Sequence, residues 1–240
     1  MGASIINAAA LRDDICIAAG IDLTAPVNAD FIYAKSFPEL ECDADVIVDF
    51  SNPVLLDDLL AYAEAHNMPA VICTTGYNEE QKNKIKDASA KIPVFYSGNM
   101  SLGINLIIEL AKKAAAVFGD NFDVEIVEQH HNQKLDAPSG TALMIADAIS
   151  QVRDESEYVY DRHAYRKKRD KKEIGIHSIR GGSIVGEHEV IFAGQDEILT
   201  ISHSARSKTV FAAGALNAAA FLKGKKPGMY DMSDLLRETD

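Results

Sequence analysis

Asp45-Val46-Ile47-Val48-Asp49-Phe50 leads into Ser51-Asn52-Pro53, and Leu55, Leu56, Leu59, Leu60 and Ala63 follow at helical spacing. This stretch decides the architecture. Its head, Asp45 to Phe50, is an apolar strand that ends beside polar residues. Ser51 and Asn52 can accept from the first N–H groups of a helix, and Pro53 suits a first turn. The same unit recurs on both sides. Upstream, Ala3 to Leu11 predicts a helix and Ile15 to Asp22 a strand ending in an acid. Downstream come the strand Ala70 to Cys73, closed by Thr74-Thr75-Gly76, the helix Asn78 to Ala90 and the strand Ile92 to Tyr96. Short apolar strands alternating with helices predict a parallel sheet covered by helices. Such sheets bind ligands at the carboxyl ends of their strands, where Asp22, Ser51, Thr74, Thr75, Ser97 and Asn99 fall.

The second half has a different pattern. A long helix, Leu102 to Phe118, precedes the strand Val124 to Gln129. Three strand-like segments follow later, Ile174 to Arg180, Ile184 to Ala193 and Ile198 to His203, with Gly181-Gly182 as a turn between two of them. The Ala-rich stretch Val210 to Leu222 predicts a final helix. The expected fold is therefore α/β. A Rossmann-like parallel-sheet nucleotide domain, its first strand missing, spans 1–100 plus 209–240. An α+β domain with a mixed sheet, a substrate and oligomerisation domain if the chain follows the family it resembles, spans 101–208.

Between Val124 and that final helix lies a run dense in chemistry, Glu128-Gln129-His130-His131-Asn132-Gln133-Lys134-Leu135-Asp136-Ala137-Pro138-Ser139-Gly140-Thr141. An Ala/Leu-rich helix follows from Thr141, so the run is a strand end, a polar loop and a helix N-terminus. Backbone N–H groups and the dipole at a helix start favour an anion, although Ser139-Gly140-Thr141 is also compatible with a plain cap. Imidazole exchanges protons near neutral pH. His130 and His131 face opposite sides if the strand continues, so they should have different tasks. Adjacent histidines lack zinc spacing, and no metal site is expected. His177, His188 and His203 fall on later strands, where satisfied sheet histidines are the simpler reading. Arg180 and Lys208 are second-rank candidates for carboxylate contacts.

Bulk properties narrow the function. The 240 residues carry a formal net charge of −12, which argues against general nucleic-acid or anionic-membrane binding. No apolar run approaches the ~18 residues of a membrane span, and no basic-then-apolar leader is visible. Cys16, Cys42 and Cys73 follow no metal spacing and border apolar stretches, which predicts buried free thiols and a cytoplasmic location. Seven cations, Arg162, Arg166, Lys167, Lys168, Arg169, Lys171 and Lys172, crowd one segment. Both a solvated mobile loop and a lid that attracts an anionic substrate fit that run.

The start of the chain bears on cofactor binding. Ala3 to Leu11 corresponds to the helix that normally follows a Gly-rich turn, of which Met1-Gly2 alone is present. Asp22 then lies ~20 residues beyond that turn, as the acid that hydrogen-bonds a ribose hydroxyl should.

The fourteen-residue run resembles the signature of the 4-hydroxy-tetrahydrodipicolinate (dihydrodipicolinate) reductase family. Val46 to Ser51, Cys73 to Gly76, Ser97 to Ser101, Gly182 to His188, Phe211 to Ala215 and Gly228 to Asp231 are similar to that family in order and spacing. The resemblance implies a two-domain, usually tetrameric oxidoreductase of diaminopimelate and lysine biosynthesis. Such an enzyme reduces a cyclic imine-type dicarboxylate with NADH and/or NADPH. By the same resemblance His130 is the acid/base group and Lys134 the proton donor, and His131, Gly140 and Thr141 hold substrate carboxylates. Asp22 takes the adenosine ribose, and Cys73, Thr74, Thr75, Ser97, Gly98, Asn99 and Met100 line the cofactor path. Cys73 stands where a glycine is common. Leu23 follows Asp22 where some members carry arginine. An acid without a neighbouring cation should repel a 2′-phosphate, so NADH is expected to be favoured. Two other readings compete. One is a truncated, non-catalytic dicarboxylate-binding remnant of the family. The other is an oxidoreductase of an aspartate-derived aldehyde.

Overall fold

The computed structural model describes residues 1–24, 30–164 and 166–238. The chain divides into two compact units, Met1–Ser101 with Thr209–Asp240, and Leu102–Lys208. Elements below are numbered along the chain.

In the first unit, α1 (Gly2–Ala9), β1 (Ala19–Ile21), β2 (Ile32–Ala34) and β3 (Ile47–Asp49) precede α2 (Leu56–Ala65), β4 (Ala70–Ile72), α3 (Glu79–Ser89) and β5 (Pro93–Tyr96). α6 (Thr209–Leu222), β11 (Gly228–Tyr230) and α7 (Met232–Arg237) complete it. Four strands pair in parallel in the order β11-β5-β4-β3. β4 is a central strand, and Ala70, Val71 and Ile72 are all 0 % exposed, as expected where both faces are covered. Ala70, Ile72 and Val94 join a core with Leu56, Leu59 and Ala63 of α2 and Ile85 and Ala88 of α3. On the other face Phe95 meets Phe221 of α6 edge to face, with centroids 6.0 Å apart.

Local chemistry explains the helix starts. The Asn52 side chain accepts from Val54 N–H, closing a 3₁₀ turn at Pro53–Leu55 before α2. Asn78 and Gln81 form a reciprocal capping box on α3.

Two sequence expectations change here. The strand expected from Ile15 to Asp22 is only three residues long, and it pairs with β2 in a separate two-stranded parallel sheet. With Ile15 to Ala18 outside that strand, Cys16 is exposed and Cys42 half-buried, so only Cys73 is the buried thiol expected of all three.

The second unit holds α4 (Leu102–Phe118), β6 (Asp123–His130), α5 (Gly140–Ser150), β7 (Glu157–Val159), β8 (Glu173–Arg180), β9 (Gly186–Ala193) and β10 (Ile198–Ala205). Its sheet is mixed, in the order β10-β9-β6-β8-β7. β6 is parallel to β8 and antiparallel to β9. The Gly181-Gly182 turn therefore joins two strands that are not neighbours, because β6 lies between them. α4 and α5 cover one face, where Val124, Ile126, Ile174, Ile176, Val190 and Phe192 form the core with Ile107, Ala111, Ile145 and Ile149. The alternation of β6 and β9 between buried and half-buried positions marks a sheet covered on one side. Among the described residues no helix is long and apolar enough to cross a membrane.

Four of the seven cations of the basic segment are ion-paired among the described residues. Arg162 and Lys167 pair with the buried Glu173, and Lys172 pairs with Glu155. Arg169 bonds Asp123 at 2.9 Å, Glu125 at 3.0 Å and the Val124 carbonyl at 2.8 Å. Residue 165 lies outside the described residues.

Candidate active site

β6 brings the site's first groups under the helices. Its alternation puts Val124, Ile126, Glu128 and His130 on the covered face. The first two belong there by hydrophobicity. Glu128 does not, and a buried carboxylate must be fully bonded. Glu128 is 0 % exposed, and each of its oxygens accepts twice. Oε1 takes Ser139 N–H at 3.1 Å and Arg180 Nη2 at 2.7 Å. Oε2 takes Arg180 Nη1 at 2.8 Å and bonds His130 Nδ1 at 2.6 Å. Burial alone would raise this carboxyl, but Arg180, Ser178 and His130 together bring it down to about 2.

The same carboxylate reaches the start of α5. Ser139 is the N-cap, and its hydroxyl accepts from Ala142 N–H at 3.2 Å. That hydroxyl also bonds His188 Nε2 at 3.2 Å. The His188 ring meets His130 edge to face, with centroids 5.3 Å apart. Burial, with His130 and His203 nearby, pushes His188 down to about 4, so it is neutral at pH 7. Burial also lowers His130, against the pull of Glu128. Of the three histidines expected to be satisfied within the sheet, His177 bonds Glu125 at 2.8 Å, whereas the buried Nδ1 of His188 and that of His203 have no hydrogen-bond partner among the described residues.

The loop from His131 to Pro138 carries the remaining polar groups. Lys134 N–H bonds the His131 carbonyl at 3.1 Å, closing a turn. The Lys134 ammonium pairs with Asp136 at 2.7 Å and holds that carboxyl below its usual value. Arg180 Nη2 donates to the Asp136 carbonyl at 2.7 Å. His131 is half-buried, outside the strand. Gly140 is exposed, and a side chain there would meet nothing within 4 Å, so the tip of α5 is sterically open, with the Gly140 N–H bonded to the Asp136 carboxylate. Thr141 is half-buried in the first turn. The second unit thus gathers imidazole, ammonium and a helix N-terminus around one buried ion pair.

The residues expected to meet a dinucleotide all belong to the first unit. Asp22 directly follows β1, is exposed, and accepts Thr24 N–H at 3.0 Å. Tyr33 hydroxyl donates to the Asp22 carbonyl. Cys73 follows β4, its N–H bonds the Asp49 carbonyl at 2.9 Å, and burial pushes its thiol well up. Thr74 is buried, and its hydroxyl has no hydrogen-bond partner among the described residues, while Thr75 is exposed. After β5, Ser97 Oγ donates to the Asn99 carbonyl at 2.8 Å, Asn99 Oδ1 accepts Ser101 N–H at 2.9 Å, and Gly98 is exposed. Met100 is buried, and Gly214 of α6 backs directly on its carbonyl. An unpartnered hydroxyl and an open glycine at the carboxyl ends of parallel strands suit a dinucleotide. Residues 25–29, just beyond Asp22, lie outside the described residues.

Sequence reading missed three members of this constellation and did not foresee the partners of a fourth. Glu128 was visible as a charge at period two from Val124 and Ile126, a signal that demands a partner. Ser139 and His188 gave no sign of their mutual bond. Arg180, a second-rank candidate for carboxylate contacts, has its guanidinium bonded to Glu128 and the Asp136 carbonyl.

Family models described as dihydrodipicolinate reductase, N-terminus and C-terminus, match residues 1–100 and 103–236. A 4-hydroxy-tetrahydrodipicolinate reductase of Caldanaerobacter subterraneus subsp. tengcongensis is 51 % identical over 99 % of this chain and 94 % of its own length. One of Clostridium novyi is 47 % identical, over 99 % of this chain and 94 % of its own length. The fold resembles a dipicolinate-bound dihydrodipicolinate reductase from Paenisporosarcina sp. TG-14, with a TM-score of 0.82 and 24 % identity over 97 % of this chain and 94 % of that one. The chain belongs to the dihydrodipicolinate reductase family.

Proposed function

We propose that this chain reduces 4-hydroxy-tetrahydrodipicolinate to tetrahydrodipicolinate in diaminopimelate and lysine biosynthesis, with a pyridine nucleotide as reductant. It is an oxidoreductase of the family, and the similarity along nearly the whole of its relatives favours this reading over a non-catalytic remnant. The observation that carries the substrate assignment is the grouping of His130, Lys134 and the open tip of α5 around the Glu128–Arg180 pair. A dicarboxylate needs cationic and N–H partners, and Lys134, His131, Gly140 and Thr141 supply both kinds. Net reaction consumes one hydride and one proton and releases water. The bound nucleotide supplies the hydride. Adding it to a carbon–nitrogen double bond leaves electron density on nitrogen, which Lys134 relieves by delivering a proton, and His130 exchanges protons beside it.

Asp22 would accept from the adenosine ribose, with Cys73, Thr74, Thr75, Ser97, Gly98, Asn99 and Met100 along the nucleotide. Leu23 beside Asp22 is 85 % exposed and brings no cation, which supports NADH over NADPH. Half-exposed Val127 and Ile191, with exposed Ile179 and Ile198, lie on the sheet face opposite α4 and α5, which supports self-association, expected as a homotetramer. The biosynthetic role and the free thiols support a cytoplasmic location.

The test is NADH oxidation on adding substrate generated in situ by its synthase. Turnover is expected, and Lys134→Ala and His130→Ala should each lower kcat about 10²–10⁴-fold while leaving NADH affinity within twofold. No NADH binding at millimolar cofactor would defeat the reading. Normal kcat in either variant would remove that residue's proton role.

A further inference from the structure

We propose that Glu128, locked by Arg180, is a positioning residue that fixes His130 as its Nδ1–H tautomer and so makes Nε2 the proton-exchanging atom. This rests on the assignment of His130 as the acid/base group. Oε1 of Glu128 accepts from Arg180 and Ser139 N–H, Oε2 accepts from Arg180 and meets His130 Nδ1, and Ser178 holds the same anion. A guanidinium stays charged at any working pH, so the carboxylate facing it stays ionised and can only accept. The atom of His130 at 2.6 Å from Oε2 is Nδ1, which must therefore carry the hydrogen. A neutral ring then has a bare Nε2.

The surroundings of Nε2 agree. It faces Gly186 of β9, where an added Cβ would stand 3.1 Å away. Glycine leaves that nitrogen uncovered on a strand whose alternate positions His188, Val190 and Phe192 are all buried. The carboxylate also bonds the N-cap residue of α5. One buried group thus sets the ring orientation, the tautomer and the start of the helix offered to the substrate. Orienting partners of this kind behind a functional imidazole act through geometry and protonation rather than by touching the reactants.

The experiment is ¹⁵N–¹H correlation of the histidine rings in the full chain, with His130 assigned by its loss in His130→Gln. Wild type should show protonated Nδ1 and unprotonated Nε2. In Glu128→Gln, Arg180 and Ser139 N–H claim the single amide oxygen, so the NH₂ group faces Nδ1 and the ring should switch to the Nε2–H form. With it kcat should fall about 10²–10⁴-fold and KM for NADH stay within twofold. An Nε2–H ring in the wild type overturns the proposal, and this measurement needs no variant to fold. So does a Glu128→Gln protein that keeps both the Nδ1–H signal and its rate. Undiminished turnover in His130→Gln would instead defeat the acid/base assignment, a result the tautomer signal cannot mimic.

Discussion

Gly214→Ala tests how α6 holds the loop from Ser97 to Ser101. In an open helix this change stabilises by about 1 kcal/mol, because alanine has less freedom to lose. Here the new Cβ would lie 2.8 Å from the Met100 carbonyl carbon and closer still to its oxygen. Both partners are backbone, so relief requires helix and loop to separate rather than a side chain to rotate. Overpacking of this kind costs about 1–3 kcal/mol, and a rigid partner belongs at the upper end. The net expectation is destabilisation of about 2 kcal/mol, or a fall of about 4–8 °C in apparent Tm for a chain of this size. Because Met100 belongs to the loop assigned to the nucleotide, NADH affinity should weaken as well. The assay is a thermal melt with NADH fluorescence titration, run beside Ala213→Gly. Ala213 is exposed on the same helix and should lose about 1 kcal/mol by propensity alone. Opposite substitutions at adjacent positions should therefore both destabilise. A Gly214→Ala protein as stable as the wild type, or more so, would refute the reasoning.

Ser139→Ala removes the cap of α5 and the partner of His188 Nε2 together. It should cost about 2 kcal/mol in urea unfolding and raise KM for the dicarboxylate, and unchanged stability would count against the cap. His188 sits at about 4 when folded, against 6.5 when free. Its depressed value makes its contribution complete above pH 6.5 and lost as pH falls toward 4, a loss of about 3 kcal/mol. Melts between pH 6.5 and 4 should show a shallower slope for His188→Gln than for wild type. Leu23→Arg should improve NADPH binding relative to NADH about tenfold, measured by fluorescence titration, and no change would separate Leu23 from cofactor choice.

Much of the fold could be read from local pattern. The period of the leucines from Leu56 to Leu60, the caps at Asn52 and Asn78, and the alternation from Val124 to His130 are signals carried by neighbours in sequence. The order of the mixed sheet is not local. Nothing near Gly181 reveals that β6 will separate β8 from β9. The same distance hid the heart of the site, since Arg180 lies 52 residues beyond Glu128. The pairing of four cations of the basic segment was hidden because Asp123 and Glu125 of β6 and Glu155 lie outside that run, and Glu173 opens the strand that follows it. The strand expected from Ile15 shortened because only three residues found a partner, and Cys16 was left outside it.

The first unit draws α6 and β11 from the end of the chain, while the second is one uninterrupted segment. During synthesis the second unit can close as soon as β10 leaves the ribosome. The first cannot, because the side of its sheet bearing Val71 and Phe95 stays bare until residues beyond 209 are made. A nascent or prematurely stopped chain would carry that greasy surface uncovered, inviting chaperones or clumping. The last thirty or so residues are thus the step that commits the nucleotide-binding half to solubility.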